Sequence, residues 1–199
     1  MIAVITGDII SSRSGEVSQW LSSLKDVLQQ YGSSPLQWEI YRGDSFQLAL
    51  LPEEALLAAI HIKAAIKQTN LQDVRMAIGL GEVSHKAEKI TESNGTAYVR
   101  SGECFESLKK QTIALKSGNA EHDKTLNLML SLALLTANSW SKTVSEVITT
   151  AIEHPDKNQK EIAEVLHKSQ SSISEALSRG GYDEIMNLNR YYKKQIAKL

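Results

Sequence analysis

Apolar and polar positions divide the chain into alternating strand and helix signals. Ile2 to Thr6 is an unbroken run of the kind expected of a central strand covered on both faces, and it stops at Gly7-Asp8. Beyond a loop over 9–15, apolar residues recur at Val17, Trp20, Leu21, Leu24, Leu28 and Tyr31, the stripe of an amphipathic helix, which Gly32 and Pro35 stop. Leu36, Trp38 and Ile40 alternate with Gln37 and Glu39, and the alternation resumes at Phe46, Leu48 and Leu50, predicting a hairpin with Gly43-Asp44 at its tip. Pro52 followed by two acids opens a helix running to about Thr69, and Val74, Met76, Ile78 and Leu80 mark another strand. The order β-α-β-β-α-β is that of the split βαβ, or ferredoxin-like, unit.

The rest of the chain is mostly helical. Residues 82–94 are polar and predict a loop, 96–110 a helix and 111–116 an additional strand. Ser117-Gly118-Asn119 is the linker candidate. Helices are then expected over 123–137, 140–153, 159–167, 171–179 and 183–198. The predicted fold class is α+β, with a palm-type ferredoxin-like domain over 1–117 and an all-α domain over 118–199.

Composition changes this picture little. The 199 residues are 42% hydrophobic and 23% charged, ordinary globular material, and the net charge of -1 leaves no global footprint for nucleic acid. The charge is uneven, however: residues 1–154 carry 14 basic against 17 acidic side chains, whereas 155–199 carry 8 against 6. With Cys104 the single cysteine, no intramolecular disulfide forms, and His61, His85, His122, His154 and His167 lack the close pairing of a zinc motif. The apolar run 128–137 is too short to span a bilayer, and no basic leader precedes the first strand, so a cytoplasmic setting without membrane insertion is expected.

Two features carry candidate chemistry. Asp8 and Asp44 each follow a glycine beside a strand, and aspartates on neighbouring strands suit Mg²⁺, which fills its shell with water and substrate phosphates. A pair of such ions can bind the attacking and leaving oxygens of a phosphoryl transfer. The plainer reading is turn and cap chemistry, common for Gly-Asp and Asp.

YRGDSFQLAL resembles the signature hairpin of GGDEF diguanylate cyclases and the Gly-Asp hairpin of class III nucleotidyl cyclases, and ITGDII resembles the first strand of both. VRMAIGLGEV and GTAYVRSGECFESL are similar to the cyclase strand and helix that follow. GDII-S-R with YRGDSF and a C-terminal DNA-binding unit resembles the SatD family. The resemblance implies a palm-like scaffold with a metal and nucleotide site, Asp8 and Asp44 holding metal and Arg100 being a candidate for phosphate. Arg13 and Arg42 are further phosphate candidates, the plainer reading being solvated arginines near a turn. Ser45 stands where the GGDEF motif has an acid.

The second feature is NQKEIAEVLHKSQSSISEAL. Ile162, Ala163 and Leu166 form one inner face and Ile173 and Leu177 the next, across a short turn, in the spacing of a helix-turn-helix over about 158–179. On that reading Gln170, Ser171, Ser172, Ser174 and Glu175 face base edges or phosphates, and Lys157, Lys160, Lys168 and Arg179 contact phosphates. The last helix, with Tyr191 and Tyr192, is expected to add phosphate contacts or a dimer contact. His167 occupies the turn position where a glycine is common, and a plain helical hairpin has the same apolar spacing. Together these features point to a DNA-binding transcription regulator, expected to be a homodimer, with a nucleotide- or metal-binding sensor domain. The alternatives are a metal-dependent nucleotidyl transferase or cyclase acting on a nucleoside triphosphate, and an interaction protein using neither site.

Overall fold

A computed structural model describes residues 1–69 and 71–199. Among these the chain forms a mixed α+β structure with eight α-helices and a five-stranded mixed sheet. The strands β1 (Ile2–Ile10), β2 (Trp38–Tyr41), β3 (Ser45–Leu50), β4 (Asp73–Gly81) and β5 (Ile113–Lys116) lie in the order β2-β3-β1-β4-β5. All neighbours are antiparallel except β4 and β5.

Strand β1 continues to Ile10 rather than stopping at Gly7-Asp8, because it pairs with β4 residue by residue as far as Asp73. Asp8 therefore lies within a strand. Successive side chains face opposite ways. Ala3, Ile5 and Ile9 enter the main core, while Thr6 meets Ser101 across the other face at 3.0 Å.

On the core face lie α1 (Val17–Gln29) and α2 (Ala55–Lys67), the latter entered through a single 3-10 turn at Pro52–Glu54. Nearly all of α2 is buried, as a helix apolar on every side must be. It is the middle layer: sheet on one side, α5 (Lys142–Glu153) on the other. The opposite sheet face carries α3 (Thr96–Glu106), which stops short of the expected Lys110. Gly79 permits this packing, since a Cβ there would stand 2.2 Å from the Ala97 carbonyl oxygen and 2.3 Å from the Ser101 nitrogen.

Helix α4 (Ala120–Ala137) starts earlier than the pattern predicts because Asn119, the expected linker residue, caps it by accepting from His122 N–H. Ser141 likewise caps α5, leaving the buried Trp140 outside it. Then come α6 (Gln159–Val165), α7 (Gln170–Gly180) and α8 (Tyr182–Ile196). One core cluster runs from Ala3 to Ile196 and so includes both the sheet and these helices. Polar bonds reinforce the junction: Lys67 Nζ donates to the Asn138 carbonyl at 2.9 Å and Tyr192 Oη donates to the Pro52 carbonyl at 2.6 Å, while Lys63 Nζ meets Asp73 at 2.6 Å between α2 and β4. Tyr192, expected at a phosphate or subunit contact, is instead fully buried. No helix among the described residues is long and apolar enough to cross a membrane.

Candidate functional site

The hairpin turn is built from Arg42 and Gly43, both at positive φ (53° and 94°), followed by Asp44. Tight hairpin turns require this left-handed backbone, which costs glycine little and arginine more. Gly7 serves packing instead. A Cβ there would lie 2.3 Å from the Phe46 ring, so only glycine lets that ring cross β1. The two Gly-Asp pairs are thereby brought together, with Asp8 directly opposite Ser45 and Ile9 N–H donating to the Asp44 carbonyl at 3.1 Å.

The two carboxylates are held by different partners. Asp8 accepts from Arg75 Nη2 at 3.1 Å, Arg75 Nε at 3.3 Å and Ser45 Oγ at 3.2 Å, while Asp44 accepts from Ser12 Oγ at 2.6 Å. Arg75 is Asp8's cross-strand neighbour on β4, and its guanidinium also lies 5.0 Å from the centre of the Phe105 ring. Tyr41, across from Ser45, has its phenol pushed up by burial, with Arg42 opposing and Asp8 adding to the rise. Trp20 Nε1 and the buried Gln72 amide fix the backbone of the loop that carries Ser12.

Arg75 is the residue the sequence pattern missed. The alternation of Val74, Met76, Ile78 and Leu80 places it on the polar face, but facing Asp8 requires the β1–β4 register. Arg42 and Arg13 are exposed near this end of the sheet. Arg100 is not: its Nη1 donates to the Leu80 carbonyl at 2.6 Å, and Leu80 pairs with Ala3, five residues along β1 from Asp8 and so about 17 Å away. No group of three or more His, Cys, Asp or Glu side chains converges on a cation position among the described residues.

The α6–α7 pair is closed by capping. Asn158 Oδ1 accepts from the N–H groups of Lys160 and Glu161, and Glu161 Oε2 accepts from Asn158 N–H at 2.7 Å, a complete capping box. Helix α6 ends at Val165, and His167 then takes φ 51°, the left-handed geometry a glycine would take without strain. In an L-residue this conformation costs roughly 1–2 kcal/mol. Lys168 N–H returns to the Ala163 carbonyl at 2.9 Å, and Ser169 caps α7. Ile162, Ala163, Ile173 and Ala176 are buried between the helices, with α5 beneath. Gly180 closes the other end, where a Cβ would stand 2.6 Å from Ile148 Cδ1.

Gln170, Ser171, Ser172 and Ser174 are all exposed along the start of α7, with Lys157 and Lys160 exposed beside them in sequence at the start of α6. The structure separates the other two candidates from that group. Lys168 Nζ pairs with Glu146 Oε2 of α5 at 3.0 Å, and Arg179 stands near the far end of α7, about 13 Å from Gln170 along the axis.

No curated protein and no solved structure matches the chain. A family model described as "SatD family" matches residues 1–195. That match covers both the Gly-Asp hairpin and the α6–α7 pair, and the chain belongs to the SatD family.

Proposed function

We propose that the chain is a cytoplasmic DNA-binding transcription regulator in which α6 and α7 form a helix-turn-helix and α7 enters the major groove. The observation that carries this reading is the exposed set Gln170, Ser171, Ser172 and Ser174 at the capped start of α7, whose buried face packs on α5 and α6. Its side chains are amide and hydroxyl groups, which read base edges, with Gln170 suited to adenine. Lys157 and Lys160 contact the phosphate backbone and set orientation. Lys168 positions the turn through Glu146 and contributes less to phosphate binding.

The test is fluorescence anisotropy of the full chain against labelled fragments of its genome over a salt series. Gln170→Ala with Ser174→Ala should weaken specific binding by about 10-fold or more while leaving the salt slope unchanged. Lys157→Ala with Lys160→Ala should lower the log–log slope by about 2. Absence of salt-dependent binding to every fragment would end this reading.

A second reading concerns the sheet. The strand order β2-β3-β1-β4 is that expected of a ferredoxin-like palm, and it sets Asp44 beside β1 next to Asp8. On this reading the sheet is a sensor that binds a nucleoside triphosphate with Mg²⁺, the cation displacing Arg75 from Asp8 and freeing it for phosphate. Ser45, in place of an acid, favours binding over turnover. A melting temperature raised by Mg²⁺ with a mixture of nucleoside triphosphates, and unchanged by them in Asp8→Asn with Asp44→Asn, supports it. A rise that persists in the double variant places the ligand elsewhere.

A further inference from the structure

A pocket of about 400 Å³ opens where the end of α1, the end of β3, the start of β1 and the loop after β4 meet. It borders Ile2, six residues along β1 from Asp8 and so about 20 Å from it. Leu36, Leu51 and Val83, which are 43%, 56% and 37% exposed, all line it, together with the buried Leu50. Three large aliphatic side chains left in water around one hollow are surface that an apolar guest would cover. The volume lies at the lower end of the roughly 300–1,000 Å³ of small-molecule sites. It therefore suits a molecule of amino-acid size better than a nucleotide.

The walls are held by contacts of their own. Tyr31 and Tyr98 are both half-buried in the lining. The Tyr31 hydroxyl meets His61 Nδ1 at 3.0 Å, and the buried His61 stands edge-on to the Tyr31 ring, its Nε2 3.4 Å from Glu153. The loop that brings Val83 and Lys86 is closed by a bridge between His85 and Asn94, and within it Ser93 Oγ accepts from Ala87 N–H at 3.0 Å. Both walls thus stand ready without a ligand, as is usual for small-molecule sites.

Two full charges complete the lining, Glu54 from the turn into α2 and Lys86 from the loop. Glu54 stands on the Tyr31 side, where its charge adds to the rise that burial imposes on the phenol. Among the described residues neither side chain has an ion-pair partner, and the two do not pair with each other. A simple cation would meet Lys86, and a simple anion would meet Glu54. A zwitterion satisfies both. We propose that this pocket binds a free apolar α-amino acid, its ammonium on Glu54, its carboxylate on Lys86 and its side chain among Leu36, Leu50, Leu51 and Val83. Binding here goes beyond DNA recognition and beyond a nucleotide at Asp8, and depends on neither.

Thermal melting of the full chain with leucine, isoleucine, methionine, phenylalanine, glycine or glutamate tests the assignment. At about 100 times its dissociation constant an apolar amino acid should raise the melting temperature by about 5–10 °C, whereas glycine and glutamate at the same concentration should not. Titration calorimetry then isolates the two charges. Leucinamide and isocaproate, which lack the carboxylate and the ammonium, should bind at least about 10-fold more weakly than leucine, and leucine should bind Lys86→Met and Glu54→Gln more weakly by the same factor. Both side chains are exposed, so circular dichroism of the variants should match wild type. No shift with any of the four apolar amino acids at about 10 mM would overturn the proposal. So would a shift as large with glycine, an analogue that binds as well as leucine, or leucine affinity undiminished in either variant.

Discussion

Replacing Lys63 by methionine should change how stability depends on pH, and the structure sets both the sign and the size. Lys63 Nζ is fully buried, 2.6 Å from Asp73 and 3.3 Å from Thr112 Oγ1. Burial is the largest influence on its ammonium and outweighs the attraction of Asp73, so its pKa falls from 10.5 to about 8. Below pH 8 the folded and unfolded chains both hold this proton. Between pH 8 and 10.5 the unfolded chain binds it and the folded chain does not, so stability rises with pH through that window. The full drop corresponds to about 3 kcal/mol, of which about 2 kcal/mol is gained by pH 9.5.

Methionine matches the lysine side chain as far as Cε and has no proton to lose. Lys67, 3.4 Å from the other Asp73 oxygen, still compensates the carboxylate in the variant. Urea denaturation of both proteins at several pH values from 7 to 10 yields the difference in unfolding free energy, in which titrations common to the two cancel. That difference should move in favour of wild type by about 2 kcal/mol between pH 7 and 9.5. A flat difference, or one moving the other way, would show that Asp73 holds the ammonium charged and that the desolvation argument is wrong.

Burial also pushes the Cys104 thiol up, from 9.0 to about 11, with Asp123 adding to the rise. Here the sign reverses: the folded chain keeps its proton while the unfolded chain loses it, so a contribution of roughly 2–3 kcal/mol present below pH 9 is lost as pH rises to 11. Cys104→Ala should flatten stability over that interval, and the native thiol should react slowly with an aromatic disulfide reagent at pH 8. Gly79→Ala should cost about 1–3 kcal/mol, because its Cβ meets the backbone of α3 and not a flexible side chain. Thermal melting should register this as a drop of several degrees. The same substitution at Gly102, where a Cβ meets nothing within 4 Å, should be neutral or slightly stabilising.

Much of this protein follows from side-chain period alone. Alternation at Trp38, Ile40, Phe46 and Leu48 is enough to define the hairpin, and the Val17-to-Leu28 stripe is enough to define α1, because a period states which face of an element avoids water. Capping is equally local, so Asn158 with Glu161 marks the start of α6 within four residues. A period does not say which partner covers the face. Only the β1–β4 register sets Arg75 against Asp8, and only the layering of α2 between sheet and α5 makes Lys63 a buried ammonium. The run 128–137 shows the same division most clearly. Its leucines mark the apolar part of the helix expected over 123–137, but whether one side remains uncovered depends on how much neighbouring surface the rest of the chain supplies. Packing covers Leu130 and Leu134 and leaves Leu128, Leu132 and Leu135 in water, a result of long-range contacts that no local pattern contains.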